Sequence, residues 1–418
     1  MDVDLFFGNQ AIWQDRLATG SLHPQWPNPR LFESHGLRGS VAGTYTHFML
    51  TTDESPAHLD EGRRWALDVG ATDALIWGRR PDRDLDVALL ADGWRVGFEP
   101  WWMVADLTTA PAEVERLTDG IVLRPGTEVD AEALVAAGIP YVQVEQVPVL
   151  AALAAHVPVE QGDELVWFVA LLDGHLVGHA VANVVRDRAA PPGSPATAGL
   201  FNVGVRPDHR RRGIGLALTR AAMRAAREAG ATTMGLNSTP MGAGVYARAG
   251  FVRVGTGATW MRSSPRWADD PPAAQRELVR AIGAGEVGSI GHPIPERFWC
   301  ELSAQQLAAR FGQPAVVGRL VELGQVPDVV ALWRAGLRDE AAAAVGDPAA
   351  RELITQPWDA RPLHHAVEAG HEGLVRLLLE AGADLTATDS QFGGTPLGWA
   401  EATGHPELAV LIREAGGR

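Results

Sequence analysis

The chain has 418 residues, 46% of them hydrophobic and 21% charged, and its formal net charge is −15. That length exceeds one ordinary domain, so a soluble globular protein with two or three hydrophobic cores is expected. The acidic balance argues against a nucleic-acid partner, because neutralising phosphates requires a basic face.

Neither a disulfide nor a membrane segment is expected. Cys300 is the single cysteine, which excludes an internal disulfide and a cysteine-based metal site. The longest apolar run, residues 147–159, is interrupted by prolines and a histidine, so it is not expected to span a membrane. The first residues lack the basic segment of a secretory signal, and a cytoplasmic location is therefore predicted.

The N-terminal part of the chain contains an internal repeat. Residues 70–76 are similar to 230–236, and residues 91–97 are similar to 248–255. The pairs Trp102-Met103 and Trp260-Met261 close the two copies. Each copy predicts a helix, a strand, a second helix and a closing strand. We interpret the repeat as a duplicated α/β unit.

A strand followed by a glycine-rich turn stands in the second copy. The apolar run 200–205 predicts a buried strand that stops before Pro207, because proline cannot donate to a ladder. Arg210-Arg211-Arg212-Gly213-Ile214-Gly215 then opens a helix. Unpaired backbone N–H groups and the helix dipole at such a turn favour a pyrophosphate, and the two glycines let phosphates approach the main chain. This turn is not a nucleotide-binding glycine motif, because Gly213-Ile214-Gly215 lacks the third glycine of Gly-x-Gly-x-x-Gly and no Gly-x-x-x-x-Gly-Lys-[Ser/Thr] is present.

Residues 203–215 resemble the acetyl-coenzyme A motif of the GNAT superfamily of N-acetyltransferases, with its [Arg/Gln]-x-x-Gly-x-[Gly/Ala] core, and Asn237 with residues 246–251 resembles the second signature. The resemblance implies a duplicated GNAT fold of the α/β (α+β) class, with a mixed central sheet and flanking helices. It implies a catalytic, acyl-CoA-binding domain at 120–263 and a degenerate copy at 1–108, as in tandem GNAT proteins. The residues implied to bind acetyl-CoA, the cosubstrate, are Val203, Val205, Arg210, Arg211, Arg212, Gly213, Ile214, Gly215, Asn237 and Tyr246.

The first copy departs from this motif. Its corresponding helix opens with Ala57-His58-Leu59-Asp60-Glu61-Gly62, and acidic side chains there would repel a pyrophosphate. The first copy is therefore predicted to be a non-catalytic scaffold that helps to wall the acceptor pocket.

The resemblance also implies the reaction, in which an acceptor amine attacks the thioester directly. The backbone N–H of Val205 is implied to donate to the thioester oxygen, and Tyr246 is implied to be the general acid that protonates the leaving thiolate. The general base is left open, because Asn202 lies on the strand where many relatives carry a glutamate. Glu145, Glu164, His179 and a chain of water molecules remain alternatives, and no metal ion is predicted.

A second repeat follows a polar, proline-rich linker at 264–272. Residues 370–382 recur as 404–416, an offset of 404 − 370 = 34 residues. This period, with Thr395-Pro396-Leu397-Gly398-Trp399-Ala400, resembles ankyrin repeats. It implies an all-α ankyrin-repeat stack over 273–418 that offers a surface to a protein partner, and a chain cut near Asp270 is predicted to stay soluble. His364 and His365 are not predicted to bind a metal ion, because adjacent helical residues point apart and no third ligand is spaced for it, and one histidine of the pair fits a structural role at the helix start.

Two functions follow from these features. The first is an acyl-CoA-dependent N-acyltransferase, by resemblance an N-acetyltransferase, that acts on an amine of a small molecule or peptide. The alternative is a non-catalytic acyl-CoA sensor or scaffold that acts through its ankyrin repeats.

Overall fold

A computed structural model describes residues 31–35, 37–42, 45–50, 58–109, 120–140, 164–186, 193–291, 293–355, 359–390 and 393–417. No helix among these residues is long and apolar enough to cross a membrane. The chain packs as two compact units. One comprises Met1–Pro81 with Gly97–Ala268, and the other comprises Asp82–Val96 with Asp269–Arg418.

The strands of the described residues are β1 (Leu31–Ser34), β2 (Leu37–Ala42), β3 (Tyr45–Leu50), β4 (Asp73–Gly78), β5 (Arg95–Val96), β6 (Trp101–Asp106), β7 (Ile121–Pro125), β8 (Glu164–Leu172), β9 (His175–Val185), β10 (Ala196–Val205), β11 (Ala231–Ser238), β12 (Val252–Thr256) and β13 (Ala258–Ser263). The α-helices are α1 (Leu59–Asp68), α2 (Arg83–Ala91), α3 (Ala131–Ala136), α4 (Ile214–Glu228), α5 (Pro240–Ala249), α6 (Ala273–Ala284), α7 (Ala304–Arg310), α8 (Pro314–Glu322), α9 (Val329–Arg334), α10 (Arg338–Ala344), α11 (Pro348–Arg351), α12 (Pro362–Glu368), α13 (Glu372–Glu380), α14 (Pro396–Thr403) and α15 (Pro406–Glu414).

The first unit contains two mixed sheets. One sheet includes the order β1–β2–β3–β4–β13, and the other has the order β12–β6–β11–β10–β9–β8–β7. β3 pairs with β4 in parallel and β10 pairs with β11 in parallel, so the two copies use the same local arrangement. The buried side of α4 (Ile214, Leu218 and Ala222) packs into the core of the second sheet. The predicted fold, a duplicated mixed sheet with flanking helices, is confirmed.

The two copies exchange their closing strands. β6, which ends the first copy, lies in the second sheet, where Trp102 is in register with Asn237 of β11. β13, which ends the second copy, pairs with β4 of the first sheet, where Trp260 is in register with Ile76. The predicted domain limits at 108 and 120 stay a prediction, but the strands of each copy complete the other's sheet.

The second unit is built from helices α6–α15 together with α2. Leu374 and Leu378 of α13 and Leu408 and Ile412 of α15 are all buried in one core, as the 34-residue repeat predicts for stacked repeats. The ring of His364 accepts a hydrogen bond from the backbone N–H of Arg361 (3.3 Å), and its other nitrogen lies 3.1 Å from the carbonyl oxygen of Gly394. This agrees with the structural role predicted for one histidine of the pair.

Helix α2 belongs to the second unit although it precedes the second copy in sequence. Asp86 is buried and accepts two hydrogen bonds from the guanidinium of Arg310 on α7, at 2.7 and 3.1 Å. Gly283 of α6 leaves room for Val87, since a Cβ at Gly283 would lie 2.6 Å from that side chain. This packing argues against a soluble chain cut near Asp270, because the cut would remove the partners of α2.

Candidate functional site

A gap opens between the central strands of the second sheet. β10 and β11 pair in parallel over residues 196–199 and 231–235. β10 continues to Val205 in register with β9, and β11 continues to Ser238 in register with β6. Within the described chain the two strands thus part beyond Gly199, which leaves the facing edge of β10 available for a ligand that can complete a ladder.

A bulge in β10 lies beside this gap. Phe201 is in register with Val181 of β9, and Gly204 is in register with His179. Two residues of β10, Asn202 and Val203, therefore lie opposite the single residue of β9 that separates those two partners. Asn202 has a left-handed φ of 52°, which a short polar side chain tolerates better than most. The bulge turns the peptide groups of β10 immediately before the strand ends.

The backbone direction after the bulge places Val205 toward the gap. The N–H of Arg206 donates to the carbonyl oxygen of Val177 at 2.9 Å, on the β9 side. Because neighbouring residues of a strand present their peptide groups to opposite sides, the N–H of Val205 faces the gap. Arg210 reaches back to the carbonyl oxygen of Val205, with its Nε 3.4 Å away.

The loop between β10 and α4 is a basic turn with left-handed residues. Arg211 has a φ of 65° and Gly213 a φ of 79°. Left-handed residues in a tight turn can direct backbone N–H groups toward a bound anion, and these two follow Arg210, which is extended. Arg210, Arg211 and Arg212 are exposed around it. The turn therefore combines backbone donors with positive charge.

The start of α4 adds further donors. Gly213 is the N-cap residue and has no side chain to cap the helix, and the first turn contains no acidic residue. The first intrahelical bond runs from the N–H of Ala217 to the carbonyl oxygen of Gly213, at 3.0 Å. At Gly215 a Cβ would lie 3.7 Å from Val205 and 3.8 Å from Val245, so a larger side chain there would fill the space beside the end of β10.

Asp208 gives the loop its internal support. Its carboxylate lies 2.7 Å from the guanidinium of Arg206 and 2.8 Å from Nδ1 of His209. The hydrogen bond from His209, supported by Arg206, lowers the pKa of the Asp208 carboxyl below its ordinary value.

Asn237 and Tyr246 lie on the other side of the gap. Asn237 stands near the end of β11, and α5 begins three residues later. Tyr246 is half-buried against the core of the second sheet, with its ring 6.1 Å from that of Phe251 in an edge-to-face arrangement. A Cβ at Gly242 would lie 3.1 Å from Cε2 of Tyr246, so the ring lies back over the first turn of α5 and toward the end of β11.

The candidate general bases are not brought together at the bulge. Glu145 lies outside the described residues. Glu164 of β8 is in register with Val184 of β9. His179, the residue of β9 next to the bulge, is in register with Val169 of β8. Five residues separate the two positions on β8, or roughly 16 Å at 3.3 Å per residue. Glu164 is therefore distant from the bulge.

His179 lies under the bulge but is enclosed. Its side chain is completely buried, and Nε2 is 3.3 Å from the carbonyl oxygen of Pro140. Burial lowers the pKa of His179 to about 4, so the ring is neutral at neutral pH. Such a ring is a weak base, and its contact with Pro140 gives it a structural part in holding this end of β10.

Gly204 is a residue of this region that the sequence reasoning missed. A Cβ at Gly204 would lie 2.1 Å from the carbonyl oxygen of Pro140 and 3.2 Å from the ring of His179. The glycine therefore lets the chain at Pro140 approach the bulge directly. A glycine inside a predicted strand is a signal for such a close approach.

Two family models match parts of the chain. Residues 140–251 match the sequence model of the Acetyltransferase (GNAT) family, and residues 340–417 match the model of ankyrin repeats in three copies. No curated protein matches the chain. Among solved structures, a GCN5-related N-acetyltransferase from Kribbella flavida is 18% identical, with a TM-score of 0.41, over 62% of this chain and 98% of that one.

Two further structures have similar values. A GCN5-related N-acetyltransferase from Sphaerobacter thermophilus is 18% identical, with a TM-score of 0.39, over 55% of this chain and 76% of that one. A tandem GNAT protein from the clavulanic acid biosynthesis pathway is 17% identical, with a TM-score of 0.38, over 62% of this chain and 94% of that one. The matches to the two sequence models assign the parts of the chain: it carries a domain of the GNAT acetyltransferase family, followed by ankyrin repeats.

Proposed function

We propose that the second copy transfers an acetyl group from acetyl-CoA to an amine acceptor. The observation that carries this proposal is the meeting of three features at one place. These are the open edge of β10, the left-handed turn at Arg211 and Gly213, and the uncapped start of α4. A long ligand with amide groups at one end and a pyrophosphate at the other fits this sequence of features.

Each feature has a part in binding. The exposed edge at Val203 and Val205 pairs with the amides of the pantetheine arm. The backbone N–H groups from Arg210 to Gly215 and the arginine side chains receive the pyrophosphate. Asn237 and Tyr246, across the gap, border the thioester end. The proposed cofactor-binding set is therefore the one that the resemblance implied.

The transfer needs one donor and one acid at the thioester. The amine nitrogen forms a bond to the carbonyl carbon, and the carbon–sulfur bond breaks. The N–H of Val205, which faces the gap, donates to the carbonyl oxygen as negative charge develops there. Tyr246 gives its hydroxyl proton to the departing sulfur. The ammonium proton of the acceptor leaves through a base that is not assigned: Glu164 is distant and His179 is enclosed, so Glu145 and water remain as routes. The second proton, which the nitrogen loses as the amide forms, returns through water to the Tyr246 oxygen.

A sensor function is the second candidate. Asn202 occupies the bulge and cannot serve as a base, and neither of the described candidate bases faces the gap. A protein of this kind would hold acyl-CoA and report its presence through a protein bound to the ankyrin repeats. The proposal includes an amine acceptor, a protein partner of the ankyrin repeats and a cytoplasmic location. It also includes the domain limits 1–108, 120–263 and 273–418.

Turnover separates the two candidates. The purified full-length chain is mixed with acetyl-CoA and each member of a panel of amines, aminoglycosides and peptides, and the released CoA thiol is measured. We expect release above the hydrolysis background with at least one acceptor, and loss of that release in Tyr246→Phe. Tight acetyl-CoA binding without release for any acceptor would favour the sensor. Absence of acetyl-CoA binding would refute both.

A further inference from the structure

Side chains that bind metal ions gather at the start of α1 in the first copy. His35 lies in the turn after β1, His58 is the N-cap residue of α1, and Glu61 lies in its first turn. One ligand atom from each of the three side chains lies within 4.8 Å of the other two. His35 and Glu61 are exposed and His58 is half-buried. Two separate elements of the fold therefore contribute to one cluster.

A serine orients two members of the cluster. The hydroxyl of Ser34 donates to Oε2 of Glu61 at 2.9 Å, and the same oxygen lies 2.9 Å from Nδ1 of His35. Because a hydroxyl has one hydrogen, Nδ1 of His35 carries the proton and donates to Ser34. Nε2 of His35 is then the ring nitrogen that remains to bind a metal ion.

The second histidine is held next to the first. The rings of His35 and His58 stack with their centroids 4.3 Å apart and their planes 12° apart. His58 makes no side-chain hydrogen bond to the start of α1, so capping does not occupy its ring. His58 and Glu61 are three residues apart, which places both at the first turn of one helix.

We propose that His35, His58 and Glu61 bind a divalent transition-metal ion, and that this ion is zinc. Two imidazoles and one carboxylate suit zinc, and a water molecule would complete the four ligands. Bonds of about 2.1 Å in tetrahedral geometry set ligand atoms roughly 3.4 Å apart. The three side chains, at the protein surface, would close by up to about 1.4 Å to reach this spacing, and the two imidazole rings would turn out of their stacked arrangement.

The start of α1 favours the opposite charge to the start of α4, which is the matching position in the second copy. There, arginines and backbone N–H groups at the start of α4 favour an anion. Here, Asp60, Glu61 and two imidazoles at the start of α1 favour a cation. The ion would tie the β1–β2 turn to α1 and so stabilise the first copy. This role is independent of acetyl transfer, so its test does not depend on the proposed function.

The test uses zinc itself with the full-length chain. Zinc is titrated by calorimetry into protein stripped of metal, and the melting temperature is measured with and without zinc. We expect one ion per chain at this site and a rise in the melting temperature. His58→Gln and Glu61→Gln should each weaken binding at this site by at least about tenfold and remove the rise.

His405→Gln is the matched control. His405 lies 3.3 Å from Glu407, and among the residues that the structure describes this surface pair has no third metal-binding side chain beside it. This variant should bind zinc as the parent does. Far-UV circular dichroism checks that all variants are folded. The proposal is overturned if the parent binds no zinc, or if His58→Gln and Glu61→Gln bind it as tightly as the parent.

Discussion

Replacing Gly213 by aspartate tests the proposed pyrophosphate site most directly. Gly213 has a φ of 79° and forms the N-cap of α4, so a Cβ there costs about 1 kcal/mol of stability, and aspartate is among the residues that tolerate this region. The new carboxylate would stand among the donors of the helix start. At about 5 Å from two phosphate charges, it is repelled by about 1.7 kcal/mol even at the dielectric constant of water. Acetyl-CoA affinity should therefore fall at least about tenfold.

Calorimetric titration with acetyl-CoA measures this loss, and denaturant unfolding checks that stability falls by no more than about 2 kcal/mol. Gly193→Asp is the matched control. Gly193 also has a positive φ, 87°, and open space around it, and it precedes β10 at the end of the strand away from the loop. It should bind acetyl-CoA as the parent does. An affinity of Gly213→Asp within a factor of three of the parent would show that the phosphate-loop assignment is wrong.

Three further predictions follow from named contacts. Tyr246→Phe should lower turnover by roughly a hundredfold or more with nearly unchanged acetyl-CoA affinity; steady-state kinetics showing full activity would mean that another group protonates the sulfur. Asp86→Ala should lower the free energy of unfolding of the second unit by about 3 kcal/mol, because it removes a buried carboxylate that accepts two hydrogen bonds from the guanidinium of Arg310. Arg376→Ala, which removes an exposed ion pair on α13, should lower the free energy of unfolding by at most about 0.5 kcal/mol. Equal losses in Asp86→Ala and Arg376→Ala would contradict this prediction. A chain ending at Asp270 should aggregate, as measured by size-exclusion chromatography, because it exposes the buried leucines of α2. A soluble monomer would show that the part before Asp270 folds independently of the ankyrin repeats.

Features that depend on short stretches of chain could be predicted from the sequence. The glycine-rich turn after β10 needs left-handed residues and a helix without a side-chain cap, and both requirements are written in residues 210–215. The ankyrin repeats also depend on short stretches of chain, because each helix pair stacks mainly on its neighbours. The 34-residue period therefore predicted buried Leu374 and Leu408 at matching places. Tyr246 was singled out by its place in a motif, and its catalytic role stays a prediction.

Features that depend on distant contacts were decided by the tertiary structure. The closing strands β6 and β13 have similar sequences, so sequence similarity does not show which sheet each strand joins. The pairing of Trp102 with Asn237 and of Trp260 with Ile76 shows the exchange. The buried state of His179 depends on the chain at Pro140, which reaches it through the space left by Gly204. His35 and His58 stack although 23 residues separate them. Sequence thus determined which local turns and helix starts form, whereas tertiary packing decided which of these surfaces meet, because burial and pairing energies depend on residues far apart in the chain.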